Sequence, residues 1–442
     1  MTRKAAFRSN STVRNHARPR DPIIATNEAI EERLTALISP TVFSLGSNVG
    51  GYNIRERVLR LPVMVALLLT MVWRRVESVR SLAGLLEREK VLWANPVRVT
   101  QQALHKRLRA FPAALFSDLF AKLVPIFQAR AAVRSRPLPD VVQRATKHFS
   151  GILAADGTTL EELFKKTDAL RETSGTVLGG RLLALLDVVS KQPLAILRQV
   201  KSTGSDHWFQ AGMLPYLRAN VLLLLDAGFY DFSFFAELTQ KGVFFIVRGK
   251  KNLAGTIVQT FQKGPIVSDR IMEIGAHSKP KMLQRVRVVD VWVGGALHRY
   301  LTNVLDPAVL STQDVVDLYA RRWRVEEAFL QAKRLLNLSY LWTGDENGLL
   351  LQIWATWLMY AVLIDLCDAI AEELDLPLDR ISIEMVYRSL YFFCGAFERR
   401  EATDVVTYLA APAQLRLGIV KPIRKNRIKP PLANPPELAQ IA

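Results

Sequence analysis

Residues 319–333 read Tyr319-Ala-Arg-Arg-Trp-Arg-Val-Glu-Glu-Ala-Phe-Leu-Gln-Ala-Lys333, with no proline or glycine, and their residue types favour a helix. On a helix of about 100° per residue, a carboxylate, two cations and a phenol fall within an arc of about 60°. These four side chains are Tyr319, Arg322, Glu326 and Lys333. The adjoining arc is apolar and is expected to pack inward; it carries Val325, Phe329 and Leu336. Carboxylates bind hard cations, and Arg, Lys and Tyr bind phosphate oxygens, so this face is suited to holding a metal ion beside a phosphodiester. The alternative is a solvated surface helix with i,i+4 ion pairs such as Arg322–Glu326.

The charge distribution predicts a polyanionic partner. The chain of 442 residues carries 59 Lys and Arg against 41 Asp and Glu, a formal net charge of +18. Residues 1–20 hold six cations and no acid, and residues 421–429 hold five cations and no acid. Basic arms on a basic body predict nucleic-acid binding, with a membrane surface as the weaker alternative.

The cysteines, the histidines and the N-terminus bear on the compartment. Cys367 and Cys394 lie in apolar stretches, which predicts buried free thiols in a reducing compartment. Six scattered histidines show no metal-ligand spacing. The N-terminus lacks the apolar segment of a secretory signal; its Arg-rich, acid-free composition fits a DNA-binding arm or, alternatively, a transit peptide. We therefore expect a cytoplasmic protein associated with DNA.

The periodicity of apolar residues divides the chain into five predicted regions. Half of the residues are hydrophobic, which excludes wholesale disorder and predicts a large core. The regions are a flexible basic arm at 1–26, a helical DNA-binding domain at 27–149, an α/β core at 150–345, a helical region at 346–420 and a basic, proline-rich tail at 421–442. From Ile152–Ala155 to Val243–Arg248 the order is strand, strand, strand, helix, strand, helix, strand, with Asp206–Arg218 as the first helix. That order is the one found in a ribonuclease-H-like fold. A β-rich antiparallel insertion is expected at about 250–310.

Two short helices in the N-terminal region resemble a helix-turn-helix reader of DNA. The first begins at Ser78, and the second is Thr100–Phe111. The second is expected to bury Ala103, Leu104, Leu108 and Phe111. It is expected to expose Gln101, Gln102, His105, Lys106 and Arg109. Gln102 and Lys106 are therefore candidate DNA contacts, and the alternative is an ordinary helical bundle with a solvated face.

One apolar run invites comparison with a membrane helix. Leu349–Ile364 is nearly all apolar, but at about 16 residues it is short of the usual spanning range. Asp365 and Asp368 follow it directly. The run therefore predicts a buried core helix and no membrane partner, with a helical membrane protein as the alternative.

Two acids follow apolar strands in the predicted core. Asp156 comes where the first strand is expected to end, and Asp226 directly follows the run Val221–Leu225. Carboxyl ends of neighbouring strands meet in one crevice, where Glu326 is expected to join them. Three unneutralised acids repel each other and need a cation; two Mg²⁺ ions about 4 Å apart would fit. The alternatives are a turn Asp before Gly157 and a turn or cap Asp before Gly228.

These motifs together resemble the DDE transposases of the bacterial insertion-sequence-4 type. Their Tyr-(2)-Arg-(3)-Glu-(6)-Lys signature corresponds to Tyr319, Arg322, Glu326 and Lys333. The first-Asp motif corresponds to Asp156-Gly157-Thr158, and the second to Asp226-Ala227-Gly228-Phe229, where Ala227 replaces the usual Arg. The resemblance covers about residues 55–370, including the β insertion.

The resemblance implies Mg²⁺-dependent cut-and-paste transposition. Asp156, Asp226 and Glu326 would bind two Mg²⁺ ions, for which Mn²⁺ could substitute; water would cut a transposon end, and the freed 3′-hydroxyl would attack target DNA. The remaining implied DNA contacts are phosphate binding by Arg322, Lys333 and Tyr319, base stacking by Trp292, and backbone tracking by Arg248 and Lys250. For Trp292 the alternative is a cross-strand core aromatic, and for Arg248 and Lys250 it is solvated surface charge. The implied partners are terminal inverted repeats, target DNA and a second copy of the chain in a homodimer.

Two further functions stay open at this point. One is a catalytically silent, domesticated relative that binds DNA; the three intact carboxylates favour activity instead. The other is a ribonuclease-H-like junction nuclease, which would select DNA structure and show no preference for end sequences.

Overall fold

The computed structural model describes residues 28–46, 58–159, 180–200, 205–276, 282–338, 342 and 345–422. The predicted arm at 1–26 and all but two residues of the predicted tail at 421–442 lie outside the described residues.

A mixed β-sheet forms the centre of the described chain. Its strands are β1 Gly151–Thr159, β2 Arg181–Asp187, β3 Pro193–Gln199, β4 Val221–Leu225, β5 Phe244–Arg248, β6 Gly255–Gln262, β7 Val267–Ile274, β8 Gln284–Val293 and β9 Ala296–Thr302. Their order in the described sheet is β3-β2-β1-β4-β5-β9-β8-β7-β6. β1, β4 and β5 are parallel, and the other neighbours are antiparallel. β4 is buried along its whole length, as its unbroken apolar run predicts.

The parallel pairing of β1 and β4 brings two of the predicted acids to one edge of the sheet. The pairing ends at Ala155 opposite Leu225, so the next residues along the two chains, Asp156 and Asp226, lie side by side. The prediction that β1 ends at Asp156 is wrong. The strand continues to Thr159 because those residues still pair with β2.

The segment between β3 and β4 also differs from the prediction. A single helix over Asp206–Arg218 is wrong: the structure has 3₁₀ turns at Asp206–Phe209 and Leu214–Tyr216 with one short α-helix, Gln210–Met213, between them. Pro215 explains the second turn, because proline has no amide hydrogen to donate to a continuing helix.

The β insertion extends the central sheet. β9 pairs antiparallel with β5, with Arg248 opposite Tyr300, and β8, β7 and β6 follow outward. β8 and β9 form an antiparallel hairpin with its turn at Gly294-Gly295, and both glycines have positive φ angles. Two charged residues of the inserted strands are buried together: Arg287 binds Asp269 at 2.8 Å and 2.5 Å.

Helices cover both faces of the sheet. The helices are α1 Glu28–Gly46, α2 Leu61–Trp73, α3 Val79–Arg88, α4 Gln101–Ala110, α5 Ala113–Ala132, α6 Asp140–Ala145, α7 Gln210–Met213, α8 Phe232–Gln240, α9 Thr312–Ala320, α10 Trp323–Arg334, α11 Glu346–Glu373, α12 Ile383–Glu398, α13 Val405–Ala410 and α14 Pro412–Leu415. One apolar cluster joins helices of 27–149 and 346–420 to one face of β1 and β4. A second cluster packs α7 and α8 on the other face.

The helix α11 lies at the centre of the larger cluster. It is long and apolar enough to span a membrane, but 89% of its apolar window is buried inside the protein, as expected of the predicted core helix. The helix pair α4 and α5, bent by 69°, also passes that test of length and composition. Asp365 of α11 accepts hydrogen bonds from Arg130 at 2.9 Å and from Arg134 at 3.0 Å, so the acids after the apolar run tie α11 to α5. Cys367 and Cys394 are buried free thiols, as predicted.

The two helices compared with a helix-turn-helix are present, and each has a capping side chain at its N-terminus. Ser78 accepts from Ser81 N at 3.0 Å, and Thr100 accepts from Ala103 N at 3.1 Å. The connection over residues 89–100 is longer than the three- or four-residue turn of that motif. The predicted burial of Ala103 is wrong, because it lies about 100° around the helix from the buried Leu104.

Candidate active site

The segment that carries the four signature residues is broken at residues 321 and 322. α9 ends at Ala320 and α10 begins at Trp323, so the expected single helix is wrong. Both linking residues keep right-handed helical backbone angles. Their amides bond three residues back: Arg321 N to Leu318 O at 2.9 Å, and Arg322 N to Tyr319 O at 3.0 Å. The junction is therefore a tight 3₁₀-like turn.

Ser311 caps α9, since its side chain accepts from Asp314 N at 3.1 Å. Val325 and Phe329 of α10 and Leu336 just after it are buried, as predicted.

Arg322 joins two of the three predicted catalytic acids. Its Nη1 donates to Asp156 Oδ2 at 2.7 Å, and its Nη2 donates to Glu326 Oε1 at 2.8 Å. The third acid is reached by the preceding helix, since Tyr319 Oη donates to Asp226 Oδ1 at 3.2 Å. Residues 156, 226 and 326 are thus gathered around one guanidinium and one phenol.

Lys333 completes the group from the last turn of α10. Its Nζ donates to Thr158 Oγ1 at 2.7 Å, two residues beyond Asp156 on β1. Tyr319, Arg322 and Lys333 therefore each contact β1 or one of the two Asp residues, and Glu326 is linked to them through Arg322.

Burial dominates the electrostatics of Asp156. Loss of water raises the pKa of its carboxyl to about 6, although Arg322 acts to lower it, and the nearby Glu326 raises it further. Burial acts to lower the pKa of Arg322, but Asp156, Tyr319 and Asp226 raise it above its usual value. Burial and Asp226 also raise the pKa of Tyr319, so the phenol stays protonated and donates. For Asp156, burial therefore outweighs the attraction of Arg322, and the raised pKa means that the folded protein holds this proton more tightly than the unfolded chain does.

This imbalance predicts a pH-dependent stability difference between the wild type and Asp156→Asn. Between pH 3.8, the usual value, and pH 6, folded Asp156 keeps a proton that the unfolded chain has lost. The free energy of unfolding of the wild type therefore falls as pH rises through that window, by about 3 kcal/mol at most. Asn at position 156 has no proton to lose, so the variant does not undergo this pH-dependent loss of stability. In EDTA, the melting temperature of Asp156→Asn should rise relative to wild type from pH 4 to pH 6 and then stay level. A difference that does not change with pH would contradict the assigned charge state.

The donor chemistry of the site suits a hard divalent cation. Three carboxylates supply the oxygen ligands that Mg²⁺ prefers. In the described part of the chain no three Asp, Glu, His or Cys side chains are spaced to hold a metal, and here Arg322 bonds two of the acids itself. A metal at this edge would take over from Arg322 as the partner of Asp156 and Glu326. The two-Mg²⁺ site stays a prediction.

The other predicted DNA contacts lie at increasing distance from the acids. Arg248 is exposed at the end of β5, opposite Tyr300, whose ring lies 4.8 Å from that of Tyr319. Lys250 Nζ lies 4.8 Å from the ring of Tyr230, in the loop that follows Asp226. Both cations therefore flank the acids.

Trp292 lies further out, at the end of β8. It faces Leu297, three residues along β9 from Tyr300, or roughly 10 Å at the usual strand rise. With 39% of its surface exposed it is not the core aromatic of the alternative interpretation. Gln102 and Lys106 are exposed on α4, which packs on α3 and α11. Their roles in DNA binding stay predictions.

Sequence reasoning missed one carboxylate close to these acids. Asp206 is buried, and its Oδ1 lies 2.6 Å from Arg181 Nη2. It was expected only as the first residue of a helix. The available signal was the glycine one residue after Asp156 and two residues after Asp226, because a Cβ on Gly157 or Gly228 would lie 2.4 Å from an oxygen of Asp206.

Comparison with known proteins adds an independent observation. Residues 147–361 match the family model described as transposase DDE domain. A probable transposase for insertion sequence element IS5377, from Geobacillus stearothermophilus, is 24% identical over 188 residues, which cover 41% of this chain and 49% of that relative. Both findings support a DDE transposase.

The range matched to the DDE transposase domain begins just before β1 and ends inside α11, so it contains all three candidate acids. The chain spans about half the length of the curated relative. Membership of the insertion-sequence-4 type, with its four-residue signature, stays a prediction.

Proposed function

We propose that this chain is a DNA transposase that binds transposon ends, cuts them and joins them to target DNA. The observation that carries the proposal is the convergence of Asp156, Asp226 and Glu326 on the Arg322–Tyr319 pair at one sheet edge. These residues are 70 and 100 positions apart in the sequence, so only the fold brings them together. The match to a transposase domain over the same residues supports the same function.

The sheet supports a ribonuclease-H-like core. Its first five strands follow the order β3-β2-β1-β4-β5, with a β1-β2-β3 antiparallel meander and β4 and β5 parallel to β1. Open α/β sheets bind ligands beyond the carboxyl ends of their parallel strands. Asp156 and Asp226 stand at those ends, and α10 brings Glu326 across them.

In this function the three carboxylates would hold divalent metal ions. When bound, such ions lower the pKa of a water molecule and stabilise the leaving oxygen of a phosphodiester. Arg322 donates to both Asp156 and Glu326 and holds their side chains near each other. With those acids on a metal ion, its planar guanidinium would be available to bind two oxygens of a DNA phosphate.

The side chains around the acids would position the DNA. Lys333, beside Thr158, offers a point charge to a phosphate near the cut, and Tyr319 Oη is a protonated donor. Arg248 and Lys250 extend this positive rim past the loop after Asp226, along the path of a DNA backbone. Pairing of two transposon ends requires two such sites, so we propose a homodimer in the complex with DNA.

A cleavage assay tests this proposal. The substrate is a DNA duplex that carries the terminal inverted repeats flanking the gene, and the reaction contains Mg²⁺. We expect strand cuts at the repeat ends, no cuts in EDTA, and no cuts in a duplex with scrambled ends. Binding of the ends without any cut would favour a silent relative, and cutting of branched DNA regardless of end sequence would favour a junction nuclease. Either outcome would overturn the proposal.

A further inference from the structure

Two glycines near the acids have no room for a side chain: Gly157, directly after Asp156, and Gly228, two residues after Asp226. A Cβ atom on Gly157 would lie 2.4 Å from Asp206 Oδ1, and one on Gly228 would lie 2.4 Å from Asp206 Oδ2. Neither glycine has a positive φ angle, so the backbone conformation does not require glycine there. The requirement is one of space: the carboxylate of Asp206 is wedged between the two backbones.

Contacts on several sides hold the Asp206 carboxylate, here called the Asp206 wedge, in place. Arg181, the first residue of β2, binds Asp206 Oδ1 at 2.6 Å. Four residues after Asp206, Gln210 Nε2 donates to Phe229 O at 3.3 Å, which ties the same segment to the loop after Asp226. Asp206 is only 9% exposed, so water does not compete strongly for these contacts. The oxygens of Asp206 are therefore fixed relative to β1 on one side and to the 227–229 turn on the other.

We propose that Asp206 is a positioning residue that sets the separation of Asp156 from Asp226. One oxygen occupies the space that a side chain at Gly157 would need, and the other occupies the space that a side chain at Gly228 would need. Asp156 and Gly157 are already held by pairing with Ala184 and Leu183 of β2, so a rigid spacer here fixes the turn after Asp226 relative to them. This inference rests on the proposed function for its catalytic consequence, but the wedge itself is a property of the folded chain.

The proposed role requires a side chain at residue 206 that fills the space between the two glycines and pairs with Arg181. Metal ligands must be held close to their working geometry, and loss of a group that orients them typically lowers metal affinity or activity 10- to 100-fold. Asn at 206 keeps the shape of the spacer but weakens the pairing with Arg181. Ala removes the spacer and leaves Gly157 and Gly228 facing an empty volume.

A set of four variants tests the wedge: Asp206→Asn, Asp206→Ala, Gly228→Ala and the double variant Asp206→Ala with Gly228→Ala. We expect Gly228→Ala alone to lower the melting temperature, because its Cβ collides with the carboxylate. Adding Gly228→Ala to Asp206→Ala should lower the melting temperature much less than adding it to the wild type, because the collision is gone. Glu237→Gln removes an exposed carboxylate from α8 and serves as the matched charge control.

Two further measurements separate positioning from plain stability. Binding of Mn²⁺, followed by electron paramagnetic resonance without DNA, should weaken about 10-fold or more in Asp206→Ala and in the double variant. Asp206→Asn should lie between these variants and the wild type. End binding should stay within about twofold of wild type, whereas the single-turnover cleavage rate should fall in parallel with Mn²⁺ affinity.

The outcomes distinguish this inference from the proposed function. If Gly228→Ala costs as much stability in the Asp206→Ala background as in the wild type, or if Asp206→Ala binds Mn²⁺ and cuts DNA as the wild type does, Asp206 is not the spacer. If Gly228→Ala costs little in the Asp206→Ala background but the wild type itself neither binds Mn²⁺ nor cuts DNA, the spacer stands and the transposase proposal fails.

Discussion

Glu326→Gln should reduce strand cleavage on the order of 10³-fold, because a lost metal ligand removes several kcal/mol of transition-state stabilisation. Gln keeps the size of the side chain, and its amide oxygen can still accept from Arg322, which Glu326 does now at 2.8 Å. The fold and the binding of transposon ends should therefore survive. The measurement is a single-turnover cleavage rate on end-bearing DNA in Mg²⁺, with a binding isotherm in Ca²⁺ for comparison.

The adjacent acid supplies the matched control. Glu327 pairs with Arg324 at 2.8 Å, on a different face of α10 from the candidate site. Its exposure, 34%, is close to the 32% of Glu326, so the two substitutions remove similar charges from similar surroundings. The single-turnover cleavage rate of Glu327→Gln should lie within a few-fold of the wild-type rate. If Glu326→Gln joins DNA strands as fast as the wild type, the three-carboxylate site is wrong.

The sequence predicts those parts of the fold that depend on local patterns. β4 is a run of five apolar residues, and its burial follows directly from that run. Glu326 and Arg322 are four residues apart, so their ion pair follows from helix geometry. The relation between Asp156 and Asp226 needed one more step, the assumption that their strands are parallel neighbours, and the register of β1 with β4 confirms that step.

The features that the sequence did not predict arise from contacts between distant segments. The residue types around Arg321 favour an unbroken helix, yet Arg321 Nη1 donates to Asp379 Oδ2 at 2.5 Å, across 58 residues. Lys191 and Arg324 bind the same carboxylate at 3.1 Å and 3.2 Å, so the junction of α9 and α10 is held by charges from three parts of the chain. The Asp206 wedge is similar, since it requires two glycines and a carboxylate that no local period connects. Likewise, alternation predicts strands in the insertion, but it does not predict that β9 joins the edge of β5.

A second large effect is expected at the buried pair of the inserted strands. Asp269→Ala should lower the free energy of unfolding by about 3–5 kcal/mol, because it leaves a buried guanidinium without its counter-ion. The side chains of Arg287 and Asp269 are 0% and 1% exposed. Asp269 also accepts from Thr312 Oγ1 at 2.6 Å, so the pair ties the start of α9 to β7 and β8. Urea unfolding followed by tryptophan fluorescence measures the change.

The same two strands provide the control for this second prediction. Glu273 and Arg285 face each other across β7 and β8 at 2.9 Å, but their side chains are 38% and 62% exposed. Glu273→Ala should therefore cost less than about 1 kcal/mol. The combined change Asp269→Leu with Arg287→Met should regain much of the loss, because apolar side chains of similar size need no counter-ion. If Asp269→Ala and Glu273→Ala lower the free energy of unfolding by the same amount, burial does not set the strength of the Arg287–Asp269 pair. Another contact must then hold α9 and its Tyr319 against the sheet.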